Sequence, residues 1–243
     1  MSTELSVVGL GRMPYAEALE LQRSLAAKRI ARTLATDVLL LVEHPPVVTL
    51  GRGFQDAHLP VPREALAARG VELFEIERGG DVTYHGPGQL VGYPIFDLTE
   101  HRADLHWFLR ALEQAVITAL DHLHVPAGRR QGYTGVWTGG GSGTRKIASI
   151  GIHVKQWVTW HGFALNVSTD LSYFDLIVPC GIPDVVMTSV QRELGERAPR
   201  DLWARAIDAV ILGFAETFGQ RPQAAAIEQL ERDDKGVTGD RVR

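Results

Sequence analysis

The segment Asp37–Glu43 constrains the fold more than any other. Its centre, Val38-Leu39-Leu40-Leu41-Val42, is apolar at every position. A strand with one wet face alternates apolar and polar residues, so an unbroken run of this length reads as a strand covered on both faces. His44-Pro45-Pro46 ends it, because proline removes a donor and fixes φ. Residues 14–34 before it read as an amphipathic helix, with Tyr15, Leu19, Leu25 and Ile30 on one side. The chain is therefore expected to be a sheet with helices packed on it.

The rest of the pattern refines that expectation. Val47 to Leu50, Val71 to Ile76, Leu90 to Leu98, Thr134 to Thr138, Lys146 to Val154 and Gln156 to Val167 are strand-like, with a tight turn near Lys155. A short helix is expected at Arg63 to Arg69 and a long one at Ala103 to His124, where Leu105, Leu109, Leu112, Val116 and Leu120 recur at helical spacing. Asp201 to Phe218 reads as a closing helix. Several strands are joined by links too short for a crossover, which implies a mixed α/β sheet rather than a purely parallel one. No linker stands out, so residues 1–220 are expected to form one domain. Residues 221–243 are polar and charged, and read as a frayed helix from Gln223 to Arg232 followed by a disordered tail. Gly139-Gly140-Gly141-Ser142-Gly143 reads as a flexible surface loop.

Composition excludes some function classes. A net charge of −4 argues against nucleic-acid binding, which favours strongly basic domains. An acidic partner would need a local basic patch, either Lys28, Arg29 and Arg32 or Arg129 and Arg130, and each cluster also reads as a solvated face. A single cysteine rules out an intrachain disulfide and a thiolate zinc cluster. No apolar window is long enough to span a membrane, the N-terminus lacks a leader pattern, and the cytoplasm is the expected compartment.

Three features carry candidate chemistry. The first is Arg78-Gly79-Gly80-Asp81-Val82-Thr83-Tyr84-His85-Gly86-Pro87-Gly88-Gln89. Glycine lets a backbone approach a ligand closely, and this loop adds a cation, an imidazole, a phenol and an amide. The second is Cys180 in Val178-Pro179-Cys180-Gly181. A free cysteine is either a small buried hydrophobe or, in a turn, a nucleophile that needs a nearby cation to form its thiolate. The third is Lys146, at the head of an apolar strand. It is either a snorkelling surface residue or the cation that Cys180 requires. His85 either moves a proton or is structural, Arg78 either meets an anion or bridges loops, and His161 is equally ambiguous. Trp157, Trp160, Phe163 and Leu165 are either core or the lining of a channel.

Taken together, these segments resemble the lipoyl(octanoyl) transferase family, the octanoyltransferases of lipoate biosynthesis. The resemblance spans roughly Asp37 to Val190. It rests on Arg78-Gly79-Gly80 with Thr83-Tyr84-His85, Gly88-Gln89 and Tyr93; Lys146-Ile147-Ala148-Ser149-Ile150-Gly151; His161-Gly162-Phe163-Ala164-Leu165-Asn166; and Pro179-Cys180-Gly181. Four ordered blocks are far more specific than one glycine loop. The resemblance implies a single domain of biotin and lipoate protein ligase type. It implies that Cys180 takes an octanoyl group from octanoyl-acyl carrier protein, that Lys146 lowers the Cys180 pKa, and that a lysine of a lipoyl domain accepts the group. Such domains belong to 2-oxoacid dehydrogenases and to the glycine cleavage H protein. Lipoyl groups are implied as alternative cargo. Arg78 through His85, Ser149, Ile150, Gly151, Gly162, Phe163 and Ala164 are implied to line the acyl site. No metal, cofactor or nucleotide is implied, and a monomer is expected. Burying about six methylenes of the acyl tail stabilises the complex by about 5 kcal/mol. Backbone N–H groups near Gly151, or in the loop around Cys180, are expected to form an oxyanion hole.

Three rivals remain at this level. An ATP-dependent ligase of the same fold needs no thiol. An acyl-binding protein never becomes covalently loaded. A cysteine hydrolase uses water as acceptor.

Overall fold

The computed structural model describes residues 3–140 and 143–232 of the chain. In chain order the first elements are β1 (Glu4–Arg12), α1 (Tyr15–Ile30), β2 (Asp37–Glu43), β3 (Val47–Leu50), α2 (Arg63–Ala68), β4 (Glu72–Glu75), β5 (Val82–His85) and β6 (Gln89–Ile95). They are followed by α3 (Leu105–His122), β7 (Ala127–Arg130), β8 (Tyr133–Thr138), β9 (Arg145–Lys155) and β10 (Val158–Asn166). The chain closes with α4 (Val190–Leu194), α5 (Leu202–Phe218), β11 (Arg221–Ala224) and α6 (Ile227–Arg232).

Eight strands form one mixed sheet in the order β11-β1-β2-β6-β10-β9-β8-β7, and a second sheet has the order β4-β3-β5. The β1–β2 and β1–β11 pairs are parallel, and the remaining pairs of the large sheet are antiparallel. The fold is thus a large mixed sheet flanked by helices, as the short links imply.

The apolar run in β2 serves two cores. Leu39 and Leu41 pack with Phe108 and Leu112 of α3 and Phe214 of α5, while Val38, Leu40 and Val42 pack with Ala18, Leu25 and Ala26 of α1. Each of the five β2 side chains contributes about 1.5–3 kcal/mol of burial, and neither face of the strand is wet. α3 begins where Asp104 accepts the Trp107 N–H at 3.0 Å, a side-chain cap. A third core, including Val48, Leu50, Val82, Tyr84 and Phe174, lies under the small sheet.

Several expectations change. Arg29 is no surface cation: it is buried, pairing with Asp37 at 3.1 Å and Glu100 at 3.0 Å. Asp37 is itself wholly buried, and it also accepts from His101 at 2.6 Å and Gln220 at 2.9 Å. Trp157 is 42% exposed instead of core. It sits with Gln156 at the tip of the β9–β10 hairpin, both at positive φ (66° and 49°), as a tight two-residue hairpin turn demands. Residues 221–232 form a strand and a helix rather than the frayed helix read from Gln223. β11 takes its hydrogen bonds from the edge of β1, and Leu230 of α6 packs against the α1 core. Residues 233–243 lie outside the described residues, as do Gly141 and Ser142 of the glycine-rich loop. No helix among the described residues is long and apolar enough to cross a membrane.

Candidate active site

Cys180 sits in a single 3-10 turn, Pro179–Gly181, with φ 57° and ψ 22°. A non-glycine residue in the left-handed region costs roughly 1–2 kcal/mol, and such strain persists where the surroundings hold it. Beyond the turn the chain runs back to the start of β9. The Lys146 N–H donates to Val186 O at 2.8 Å, and the Thr188 N–H donates to Lys146 O at 2.9 Å, forming a bridge between Lys146 and Met187. Arg145 and Glu193 clamp the same return with two hydrogen bonds, at 2.9 and 2.8 Å. These contacts carry Cys180 to Lys146.

The two side chains meet: Lys146 Nζ donates to Cys180 Sγ at 3.1 Å, and Ser149 Oγ lies 3.7 Å from the sulfur. Lys146 is only 1% exposed. Its stem crosses Gly135, where an added Cβ would stand 2.9 Å from Lys146 Cε, and its ammonium lies 5.2 Å from the centre of the Trp137 ring. Burial pushes the Cys180 thiol up, but the Lys146 charge and hydrogen bond, with help from Ser149 and Arg78, outweigh it and hold the thiol below its ordinary value. The contact with Lys146 thus favours the thiolate form of Cys180.

Beside this pair is a cavity of about 370 Å³, bounded by the glycine loop on one side and by β6, β9 and β10 on the other. Of the residues expected there, Arg78, Gly80, Asp81, Thr83, His85, Ser149, Ile150, Gly151, Gly162, Phe163 and Ala164 line it together with Cys180 and Lys146. Gly79, Val82 and Tyr84 do not. The period of two along β5 turns Thr83 and His85 into the cavity and Val82 and Tyr84 into the small core, where Tyr84 stacks on Tyr173. The Gly79 N–H is used by Ile152 O at 2.8 Å. Arg78 is a bridge: its Nη2 donates to Thr49 O at 2.8 Å and to Thr49 Oγ1 at 2.9 Å.

The glycines serve packing of the chain on itself. A Cβ at Gly151 would stand 2.8 Å from Gly79 O and 3.1 Å from Arg78 Cδ, and one at Gly162 would collide with Gly92 O. The close approach they permit is strand to loop and strand to strand, which is what narrows the cavity. Two N–H groups at the turn are also occupied, Gly181 by Val178 O at 2.9 Å and Ile182 by Pro179 O at 3.1 Å.

Three histidines near the cavity, His44, His85 and His161, are buried, and burial holds each below its ordinary value. Gln89 Nε2 donates to Tyr84 O and Asn166 Oδ1, so its Oε1 accepts from His85 Nδ1 at 2.8 Å, leaving His85 Nε2 as an acceptor. Burial pushes His85 down to about 3. His44 donates from Nδ1 to Met13 O and accepts from the Tyr93 hydroxyl, each at 2.8 Å, and burial pushes it down to about 4. His161, also depressed by burial, adopts φ 56° and gives its backbone N–H to Gln22 Oε1 at 2.9 Å. The sign follows. Below the ordinary histidine value of 6.5 the unfolded chain takes up protons that folded His85 and His44 refuse. Stability should therefore fall as pH drops from 6.5 toward 4, by up to about 1.4 kcal/mol per pH unit for each ring. Urea midpoints measured at pH 7 and pH 5 check this, and equal midpoints would refute it.

Sequence reasoning missed several residues around the cavity. Tyr15 stacks on His85 with ring centres 6.1 Å apart, and Tyr133 and Thr134 line the rim. Buried Glu113 on α3 accepts the Gly135 N–H at 3.2 Å and Arg129 Nε at 2.9 Å, fixing the hairpin beneath Lys146. His58 donates from Nδ1 to Asp81 Oδ2 at 2.6 Å. Tyr15 registers in the sequence only as part of a helix face, and the others carry no periodic or motif signal; the contacts are made by segments far apart in the chain.

The chain is similar to known proteins in sequence and in fold. Residues 14–212 match the family described as the lipoyl protein ligase A/B catalytic domain. An octanoyltransferase of Gloeobacter violaceus is 49% identical over 90% of this chain and 92% of its own. One from Solibacter usitatus is 54% identical over 79% of this chain and 84% of its own. A crystal structure of lipoate-protein ligase A bound with ATP superimposes with a TM-score of 0.70, covering 97% of this chain and 95% of that one at 20% identity, a likeness of fold alone.

Proposed function

This chain belongs to the lipoyl protein ligase A/B catalytic-domain family and is an acyltransferase that moves octanoyl groups in lipoate biosynthesis, and from that premise we propose that Cys180 carries the group as a thioester. The donor is octanoyl-acyl carrier protein. The acceptor is a lysine of a lipoyl domain, as in 2-oxoacid dehydrogenases or the glycine cleavage H protein. The observation that carries the reading is the 3.1 Å contact between Lys146 Nζ and Cys180 Sγ.

The steps balance as follows. The Cys180 thiolate attacks the donor thioester carbonyl; a new C–S bond forms and the donor's C–S bond breaks. The departing thiolate takes a proton from the Lys146 ammonium and leaves as a thiol. The acceptor lysine, entering as a neutral amine, attacks the acyl-enzyme. Its surplus proton passes to the Lys146 amine, and the Cys180 thiolate is released beside a restored ammonium. Thioester gives way to amide, so no nucleotide is consumed. Arg78 adds positive charge near the sulfur, and the cavity holds the acyl tail against Val91, Ile150, Phe163 and Ala164. The lone thiol fits a reducing compartment, the cytoplasm, and the protein acts as a monomer.

Intact mass measured after mixing with octanoyl-acyl carrier protein tests the reading. One octanoyl group should add to the wild type without ATP, and a lipoyl domain should then remove it. A requirement for ATP would favour a ligase, and rapid release of free octanoate without acceptor would favour a hydrolase.

A further inference from the structure

We propose that the His58–Asp81 pair is a brace that sets the position of Cys180, which makes both of them positioning residues for acyl loading. The inference rests on Cys180 being the nucleophile.

The turn at Cys180 is short and strained. Cys180 and Gly181 occupy the left-handed region in succession, at φ 57° and 64°. Two internal hydrogen bonds close the turn but do not anchor it to the body of the protein. The anchor comes from His58 and Asp81. The Val178 N–H donates to His58 O at 2.8 Å, pinning the turn where it begins. The His58 ring donates to Asp81 Oδ2 at 2.6 Å, and Asp81 Oδ1 accepts the Val82 N–H at 2.7 Å, tying the pair to the start of β5. Gly181 lies directly against the pair: an added Cβ would fall 2.6 Å from Asp81 Oδ2 and 2.9 Å from His58 Cε1. Both side chains are largely enclosed, at 19% and 11% exposure. Three segments, Asp56–His58, the stretch just before β5 and Pro179–Gly181, are locked at one point. A nucleophile displaced by 1 Å loses on the order of 100-fold in rate.

The sign of one measurement separates bracing from electrostatics. The groups facing the sulfur are the Lys146 ammonium, the Arg78 guanidinium and the Ser149 hydroxyl, with the Asp81 carboxylate beside Gly181 in the cavity wall. Deleting a carboxylate near a thiolate by charge alone makes ionisation easier. Deleting a brace lets the sulfur drift from Lys146 and makes ionisation harder. Loss of folding stability alone moves the midpoint in neither direction while the protein stays folded.

Cys180 is the chain's one cysteine, so iodoacetamide reports on it alone. The full-length protein and its Asp81→Ala, His58→Ala, Asp81→Asn and His58→Gln variants are alkylated across pH below their melting temperatures. Each is also loaded by octanoyl-acyl carrier protein in a single turnover followed by intact mass. The alanine variants should load about 10–100-fold more slowly, with alkylation midpoints moved to higher pH. His58→Gln, which keeps an N–H for Asp81, and Asp81→Asn, which keeps an acceptor, should fall between these and wild type; they carry the test if the alanine variants do not fold. A midpoint that stays put or moves lower, or wild-type loading rates, overturns the brace. A wild type that never loads overturns the Cys180 reading instead.

Discussion

Lys146→Met should slow acyl loading by about 1,000-fold and move the pH dependence of Cys180 alkylation upward. The direction follows from the balance at the sulfur: burial opposes the thiolate, and the Lys146 charge and hydrogen bond are what overcome it. With methionine in place, only Ser149 and Arg78 are left to oppose burial, and the thiol rises. Each unit of rise reduces the thiolate fraction near neutral pH about tenfold, and the greater basicity of the sulfur restores roughly threefold of its reactivity. Ionisation thus accounts for the smaller part of the loss. The larger share comes from proton transfer to the leaving thiol, typically worth 100-fold or more. The two parts are separable. Raising the pH should recover the ionisation share but not the proton-transfer share. Full recovery at pH 10 would show that Lys146 acts only through charge.

Cys180→Ser should abolish the covalent octanoyl adduct in intact mass spectra and lower transfer by at least about 1,000-fold. A serine hydroxyl beside an ammonium has no base to remove its proton, because Lys146 meets it already protonated. The fold should survive, since the turn's backbone bonds are unchanged and the brace touches Gly181 rather than the sulfur. A variant that melts like wild type yet transfers at a normal rate would mean that the acyl group passes directly between partners.

Much of the architecture was legible. The run from Val38 to Val42 announces a strand covered on both faces because every position must be apolar there, and α3 and α5 announce themselves by helical spacing. β1 and β11 were not legible. Glycines at 9 and 11 interrupt the first, and the second is mostly exposed and carries a proline, so it is a strand only because β1 offers it a ladder. At the site, Cys180 and Lys146 stood out as isolated reactive residues, but their meeting depends on the Lys146–Met187 bridge, a tertiary contact that no local pattern reports. Reading the glycine loop as a continuous lining ignored the two-residue period of β5, which was available in Val82-Thr83-Tyr84-His85. Arg29 looked like a surface charge because its partner Asp37 sits at the head of the next strand, and pairing across a helix and a loop has no sequence signature.

The parallel pairing of Glu4–Val7 with Arg221–Ala224 has a bearing on biosynthesis. β1 leaves the ribosome long before its outer neighbour β11 does. During that interval its unpaired amides and carbonyls, with Leu5 and Val7 beside them, offer a template to any other nascent chain. Release of the last dozen described residues is thus the event that seals the growing protein against self-association.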